Sequence, residues 1–237
     1  MLQIKNLSVK VGEKQILNQI SFDFETGKNY CILGKNGSGK SSLAMTLAGN
    51  PKYEISEGEL LLDGQNLTEM TPDERNKAGI FLTFQNIPEI PGVKLFEFLK
   101  TIYDARAEKP STFLEFKKII EPLMAELEIE KAFLWRDLNV GFSGGEKRKI
   151  EVLQIKLLKP KYIILDEIDS GLDVNAVRQV AELLKAVNTE ENSFIVITHL
   201  FEMLQELPLE KILILEQGQI KAIGGRELME QVKKEGF

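Results

Sequence analysis

Residues Gly34-Lys35-Asn36-Gly37-Ser38-Gly39-Lys40-Ser41 carry the spacing G-x-x-x-x-G-K-S. Glycines at these positions let the backbone curl until its N–H groups face inward, where they can hold phosphate oxygens. Lys40 would reach the β- and γ-phosphates of a nucleotide, and the Ser41 hydroxyl would sit on Mg²⁺. Ser42 completes the nucleotide-binding stretch and opens a helix over Ser42–Ala48, whose N-terminal dipole favours an anion. The preceding run Tyr30-Cys31-Ile32-Leu33 is apolar and short, as a buried strand should be. Strand, glycine turn and helix together form the context this spacing requires.

Two further groups could share that chemistry. Tyr162-Ile163-Ile164-Leu165 reads as a buried strand ending in Asp166 and Glu167, at the carboxyl edge where open α/β sheets bind ligands. Asp166 is placed to hold Mg²⁺ through water, and Glu167 to orient and polarise an attacking water. Gly141-Phe142-Ser143-Gly144-Gly145-Glu146-Lys147 then leads into a helix with Ile150, Leu153 and Leu157 on one face. Ser143 and Glu146 have capping-box spacing. Two readings stay open for this stretch: an ordinary capped helix, or a second anion site at a helix N-terminus. The second reading implies a head-to-tail dimer, in which this site closes over nucleotide held by another copy.

Composition narrows the class. The 237 residues are 43% hydrophobic and 28% charged, enough for a sizeable core and a soluble surface. The longest apolar runs are far too short to cross a bilayer, and the first residues already read as a strand, so a cytoplasmic chain with no direct membrane insertion is expected. A net charge of -6 argues against nucleic acid as a partner. The basic run Lys147-Arg148-Lys149 is expected to be a solvated helix face. Cys31 is the only cysteine and is expected in the core; one thiol cannot by itself hold an iron–sulfur cluster.

The elements that would position these groups alternate along the chain. Leu2 to Lys10, Gln19 to Glu25 and Leu60 to Asp63 suggest a small antiparallel layer. From about Val93 to Leu158 the period turns helical, with Leu95, Phe96, Phe98, Leu99 and Ile102 on one face and Phe113, Phe116, Ile119 and Ile120 starting another. Strands return at Tyr162–Leu165 and Phe194–Thr198, joined by a crossover helix over Val174–Val187. A hairpin over Ile212–Ile223 closes the pattern. The expected fold class is α/β: a mixed, largely parallel sheet core in residues 1–87 and 159–237, an antiparallel β subdomain, and a helical insertion over about 88–158. An insertion of roughly 70 residues is long enough to be a subdomain.

With these residues in hand, the chain resembles the ATP-binding cassette family of phosphate-loop ATPases over essentially its whole length. Gln85 matches the family's Q-loop, and the resemblance makes it a catalytic residue and a Mg²⁺ contact. Phe142 to Glu146 match the signature that meets nucleotide in trans. Ser170-Gly171-Leu172-Asp173 match the D-loop. His199, the only histidine, follows the strand Phe194–Thr198 and matches the residue that contacts the γ-phosphate. Val11 stands where many members place an aromatic residue on adenine, so base recognition should be weaker by about 1 kcal/mol.

Stretches outside the shared motifs resemble one branch of that family, the soluble ATPases of Suf-type iron–sulfur cluster assembly. They are Gly79-Ile80-Phe81, Phe84-Gln85, Pro88-Glu89-Ile90-Pro91-Gly92-Val93, Asn139 to Lys147, and Leu165 to Asp173. That resemblance implies Mg-ATP hydrolysis, ATP-driven pairing of two copies, and a SufB/SufD-type scaffold bound through the helical subdomain and the region from Gln85 to Phe98. Two other readings share the same site: the ATPase subunit of a membrane transporter, and a nucleotide-gated clamp in which hydrolysis only resets the cycle. A phosphate-loop kinase would explain neither the second glycine site nor the D-loop. A DNA-repair ATPase of this family would need a longer, coiled-coil insertion.

Overall fold

Alternation sets the first strand on either side of an irregularity. Leu2 and Ile4, then Leu7 and Val9, are buried along β1 (Leu2–Val11), whereas Lys5 and Lys10 are exposed; the parity changes at left-handed Asn6 (φ +48°), where the register with the next strand shifts. The computed structural model describes residues 1–168, 174–198, 204 and 207–236. They fall into two compact units. The first comprises Met1–Thr83, Pro160–Ile168 and the described residues from Asn188 onward; the second comprises Phe84–Lys159 and the helix over Val174–Val187.

In the first unit, β1 is followed by β2 (Lys14–Phe24), β3 (Asn29–Leu33), α1 (Lys40–Leu47), β4 (Glu54–Leu62), β5 (Gln65–Asn66), α2 (Pro72–Ala78) and β6 (Ile80–Leu82). The second unit holds β7 (Ile90–Lys94), α3 (Leu95–Asp104), α4 (Phe113–Glu126), a 3-10 turn (Lys131–Trp135), β8 (Asp137–Leu138), α5 (Gly144–Leu158) and α6 (Val174–Val187). The first unit also contains β9 (Tyr162–Asp166), β10 (Ser193–Ile197), β11 (Leu209–Glu216), β12 (Gln219–Gly224) and α7 (Arg226–Glu235).

Two sheets build the first unit. One is antiparallel, in the order β2-β1-β4-β5; the other runs β12-β11-β3-β10-β9-β6, with β12 its antiparallel edge and the rest parallel. Strands β3, β9 and β10 are buried at every position, as strands covered on both faces must be. Cys31 lies among them, and burial pushes its thiol well above the ordinary range. The apolar side chains of both sheets and of α1 share one core. Tyr162 pins the sheets together: its hydroxyl accepts from the Leu2 N–H at 3.0 Å and donates to the Phe24 carbonyl at 2.7 Å. Arg75 of α2 is buried and donates to the carbonyls of Thr46 and Leu47, placing a cation at the negative end of α1.

The second unit packs around aromatic rings. Phe116, Ile120 and Met124 line the buried face of α4, and the Phe96 ring meets Phe116 edge-on at 5.3 Å and stacks on Trp135 at 5.3 Å. A capping box at Thr112 and Glu115 starts α4.

Several expectations change in detail. The second strand begins at Lys14 rather than Gln19, and the fourth at Glu54 rather than Leu60, because each continues its antiparallel pairing with β1. Phe113 is 46% exposed rather than buried, since it precedes the stripe set by Phe116 and Ile120. The expected helical stretch also contains the two-stranded ribbon β7–β8. Neither β6 nor α7 was anticipated; β6 has only three residues, and α7 is strongly amphipathic with Met229 and Val232 buried. Among the described residues, no helix is long and apolar enough to cross a membrane.

Candidate active site

The turn after β3 is shaped by what its glycines make room for. A Cβ on Gly34 would lie 2.2 Å from the Leu215 carbonyl oxygen and 2.6 Å from Ser38 Oγ. Gly37 has φ +79° and Gly39 φ +107°, both left-handed. Gly39 caps α1 without a side-chain hydrogen bond, and the first turn of α1 has no acidic residue. Its leading N–H groups therefore have no side-chain oxygen to satisfy them. Among the described residues, Ser38 Oγ is buried without a hydrogen-bond partner. A buried hydroxyl left in that state costs about 1–3 kcal/mol, which an incoming oxygen can relieve.

Lys40 is only 5% exposed, and its Nζ donates to the carbonyls of Gly34 at 2.8 Å and Lys35 at 3.2 Å. The lysine thus holds its own loop closed. Burial lowers its pKa, while Glu167 and Asp166 work in the opposite direction. Lys35, Asn36 and Gly37 are exposed, and Ser42 is half-buried on α1.

Ser41 and Asp166 are brought together although 125 residues separate them: Ser41 Oγ donates to Asp166 Oδ1 at 3.1 Å. Topology does this. Strands β3 and β9 flank β10 in parallel register, so their carboxyl ends emerge on the same edge. Burial raises the Asp166 pKa, Ser41 lowers it, Glu167 raises it and Lys40 lowers it; burial prevails. Two oxygen ligands of this kind suit Mg²⁺, which keeps several waters and takes further oxygens from phosphate. Glu167 follows with φ +47°, and its N–H donates to the Ile197 carbonyl at 2.8 Å. A left-handed non-glycine residue at a strand end carries local strain of order 1–3 kcal/mol, and here it turns the chain beside Asp166.

The sequence gives little sign of the loop's main support. Gly218, in the β11–β12 turn, donates its N–H to the Ser38 carbonyl at 2.9 Å and accepts from the Asn18 N–H at 2.9 Å. It has φ +77°, and a Cβ there would sit 2.2 Å from the Ile16 carbonyl oxygen. The pair Gln217-Gly218 marks a hairpin turn, which was the available signal; the contact with the phosphate loop is tertiary.

In the second unit, Ser143 is the N-cap of α5. Its N–H donates to Glu146 Oε2 at 2.7 Å, and its Oγ accepts from the Glu146 N–H at 3.3 Å. The Ser143 N–H bond holds the Glu146 carboxyl below its usual range. Ser143 and Gly144 are exposed, and a Cβ on Gly145 would meet open space. Phe142 is buried, packed on Phe133 and beneath the Arg136 guanidinium. Gln85 is exposed in this unit.

The run Lys147-Arg148-Lys149 is not uniformly solvated. Arg148 is buried and pairs with Glu151 at 2.6 Å. The reason is tertiary: its guanidinium donates to the carbonyls of Phe84 and Gln85. Ser170, Gly171, Leu172, Asp173 and His199 lie outside the described residues.

Phosphate loop, paired serine and carboxylate, and strand-end glutamate on such a sheet make the pattern of a phosphate-loop ATPase. The chain belongs to the ABC transporter family, whose profile matches residues 17–170. It is 42% identical to "Probable ATP-dependent transporter ycf16" of Antithamnion sp., covering all of this chain and 96% of that one. It is 39% identical to "Probable ATP-dependent transporter SufC" of Escherichia coli (strain K12), over all of this chain and 97% of the other. Among solved structures, the ADP conformation of the cassette MJ1267 superposes with a TM-score of 0.81 at 23% identity, covering 99% of this chain and 95% of that one. The dimeric post-hydrolysis cassette MJ0796, bound to ADP and Pi, gives 0.79 at 23%, covering 94% and 98%.

Proposed function

We propose that this ATPase uses Mg²⁺, pairs head to tail on binding ATP, and drives a conformational change in a soluble SufB/SufD-type scaffold during iron–sulfur cluster assembly in the cytoplasm. The observation that carries the nucleotide chemistry is the Ser41–Asp166 hydrogen bond, which joins phosphate loop and strand-end carboxylate at one point. The assignment of partner rests on full-length identity of 39% to the relative named SufC.

The residues have separate tasks. The N–H groups of the loop and Ser38 Oγ hold phosphate oxygens. Lys40 exchanges its loop carbonyls for the β- and γ-phosphates. Ser41 and Asp166 would hold Mg²⁺, and the family resemblance adds Gln85 as a further contact. Bound there, the ion would supply positive charge to the phosphate oxygens. Glu167 orients and polarises the attacking water, and His199 contacts the γ-phosphate. Phe142 to Glu146 and the D-loop Ser170 to Asp173 of one copy serve nucleotide held by another. The helical segment of residues 88–158, with the region from Gln85 to Phe98, is the scaffold-facing part. Phe84 and Ile90 are exposed there, 50% and 38% respectively, whereas Phe96 belongs to the core.

A native pull-down with tagged Glu167→Gln protein and Mg-ATP tests this reading. Soluble scaffold subunits identified by mass spectrometry are the expected result. Recovery of a permease with membrane-spanning helices would instead make the chain a transporter motor.

A further inference from the structure

The segment Phe84–Glu89 has neither helix nor strand, so its backbone groups need partners from elsewhere in its unit. They come from α5 and the turn before it. The Phe84 N–H donates to Glu151 Oε1 at 2.9 Å, and Arg148 donates to the Phe84 carbonyl at 2.8 Å and the Gln85 carbonyl at 3.3 Å. Arg148 and Glu151 bind each other at 2.6 Å, each side chain only 6% exposed. Lys147 pairs with Glu89 at 2.8 Å, and Asn139 Nδ2 donates to the Pro88 carbonyl at 2.9 Å.

Such a brace is more than packing. A buried ion pair gives no advantage in stability over apolar residues of the same size. Here both charges are spent on main-chain atoms of two consecutive residues, which fixes where Gln85 stands whatever its side chain does. The same helix is capped by Ser143, five residues before Arg148. A movement of the Gln85 backbone must therefore either break buried charged hydrogen bonds or carry α5 with it.

We propose that the Arg148–Glu151 pair is a positioning device that makes Gln85 and the Ser143-Gly144-Gly145 end of α5 move as one body when nucleotide binds. The proposal rests on the roles given above to Gln85 and Ser143, but the coupling lies within one chain and does not require a dimer.

The test is hydrogen–deuterium exchange with and without Mg-ATP, on Glu167→Gln protein at concentrations where sedimentation finds only monomer. In that parent, ATP should change exchange in residues 84–86 and in 143–150. In the added double substitution Arg148→Met with Glu151→Leu, the response at 84–86 should persist and that at 143–150 should fall at least threefold. Affinity for ATP should stay within twofold, because the phosphate loop is untouched. Arg148→Lys, which keeps one cationic donor for the Phe84 carbonyl, should restore part of the response and guards against a double variant that fails to fold. An equal response at 143–150 in the double variant, or none in the parent, would overturn the coupling. Failure of the parent to dimerise at high concentration would count against the head-to-tail reading alone.

Discussion

Replacing Gly218 by alanine should damage the phosphate loop from outside it. Alanine at φ +77° costs about 1–2 kcal/mol through its Cβ. That Cβ would also stand 2.2 Å from the Ile16 carbonyl oxygen, a backbone atom that cannot rotate away. The turn must shift, weakening the hydrogen bonds from the Gly218 N–H to Ser38 and from the Asn18 N–H to Gly218. Each is worth about 1 kcal/mol, so the total is about 3–4 kcal/mol. For a chain of this size the melting temperature should fall by about 10 °C. Gly64→Ala is the matched control: φ is +84°, yet nothing lies within 4 Å of its Cβ, so only the strain of about 1–2 kcal/mol applies. Thermal melts followed by circular dichroism measure both. Calorimetry with Mg-ATP should show affinity reduced about tenfold in Gly218→Ala, or about 1.4 kcal/mol, and unchanged in Gly64→Ala. Equal melting temperatures and equal affinities in the two variants would refute the reasoning.

Ser38→Ala should raise the melting temperature of the nucleotide-free protein, because it removes a buried hydroxyl that costs about 1–3 kcal/mol unpaired. The same change should weaken ATP binding, and a variant that loses both stability and affinity would count against the orphaned oxygen. Ser143→Arg should block ATP-driven pairing while leaving ATP affinity within twofold; a normal dimer by size-exclusion chromatography would reject the trans site. Burial opposes ionisation of Asp104, but Lys100 and the Ser111 hydroxyl and N–H outweigh it and hold the carboxyl at about 2, below its ordinary 3.8. Its stabilisation is therefore complete above pH 3.8 and is lost as pH falls toward 2, so Asp104→Asn should be less stable at neutral pH and less acid-sensitive in that window.

What could be read in the sequence was chemistry that is local. The spacing from Gly34 to Ser41 fixes a glycine turn between strand and helix, and the apolar runs before Asp166 and Thr198 are buried strands. The capping box at Ser143 was equally legible, since both of its hydrogen bonds close within four residues. The failures share a cause. Arg148 sits between two lysines and reads as solvated until the Phe84 carbonyl arrives from 64 residues away. Gly218 reads as a hairpin glycine until Ile16 and Ser38 are brought against it. Phe113 has the spacing of the α4 stripe but lies in its first turn, where Phe96 and Trp135 cover only part of its ring.

The phosphate loop shows how one site can be both formed and unsatisfied. Lys40 closes the loop by bonding the Gly34 and Lys35 carbonyls, so its ammonium is desolvated and held beside the loop. Ser38 Oγ works in the opposite sense, because it has no partner until an oxygen enters. On the proposed reading, phosphate would enter a cradle already formed and give Ser38 Oγ a partner. The loop is held from outside: the Leu215 carbonyl lies where a Cβ on Gly34 would be, and the Gly218 N–H holds the Ser38 carbonyl. The β11–β12 hairpin is thus the part of the fold that holds the loop in this shape.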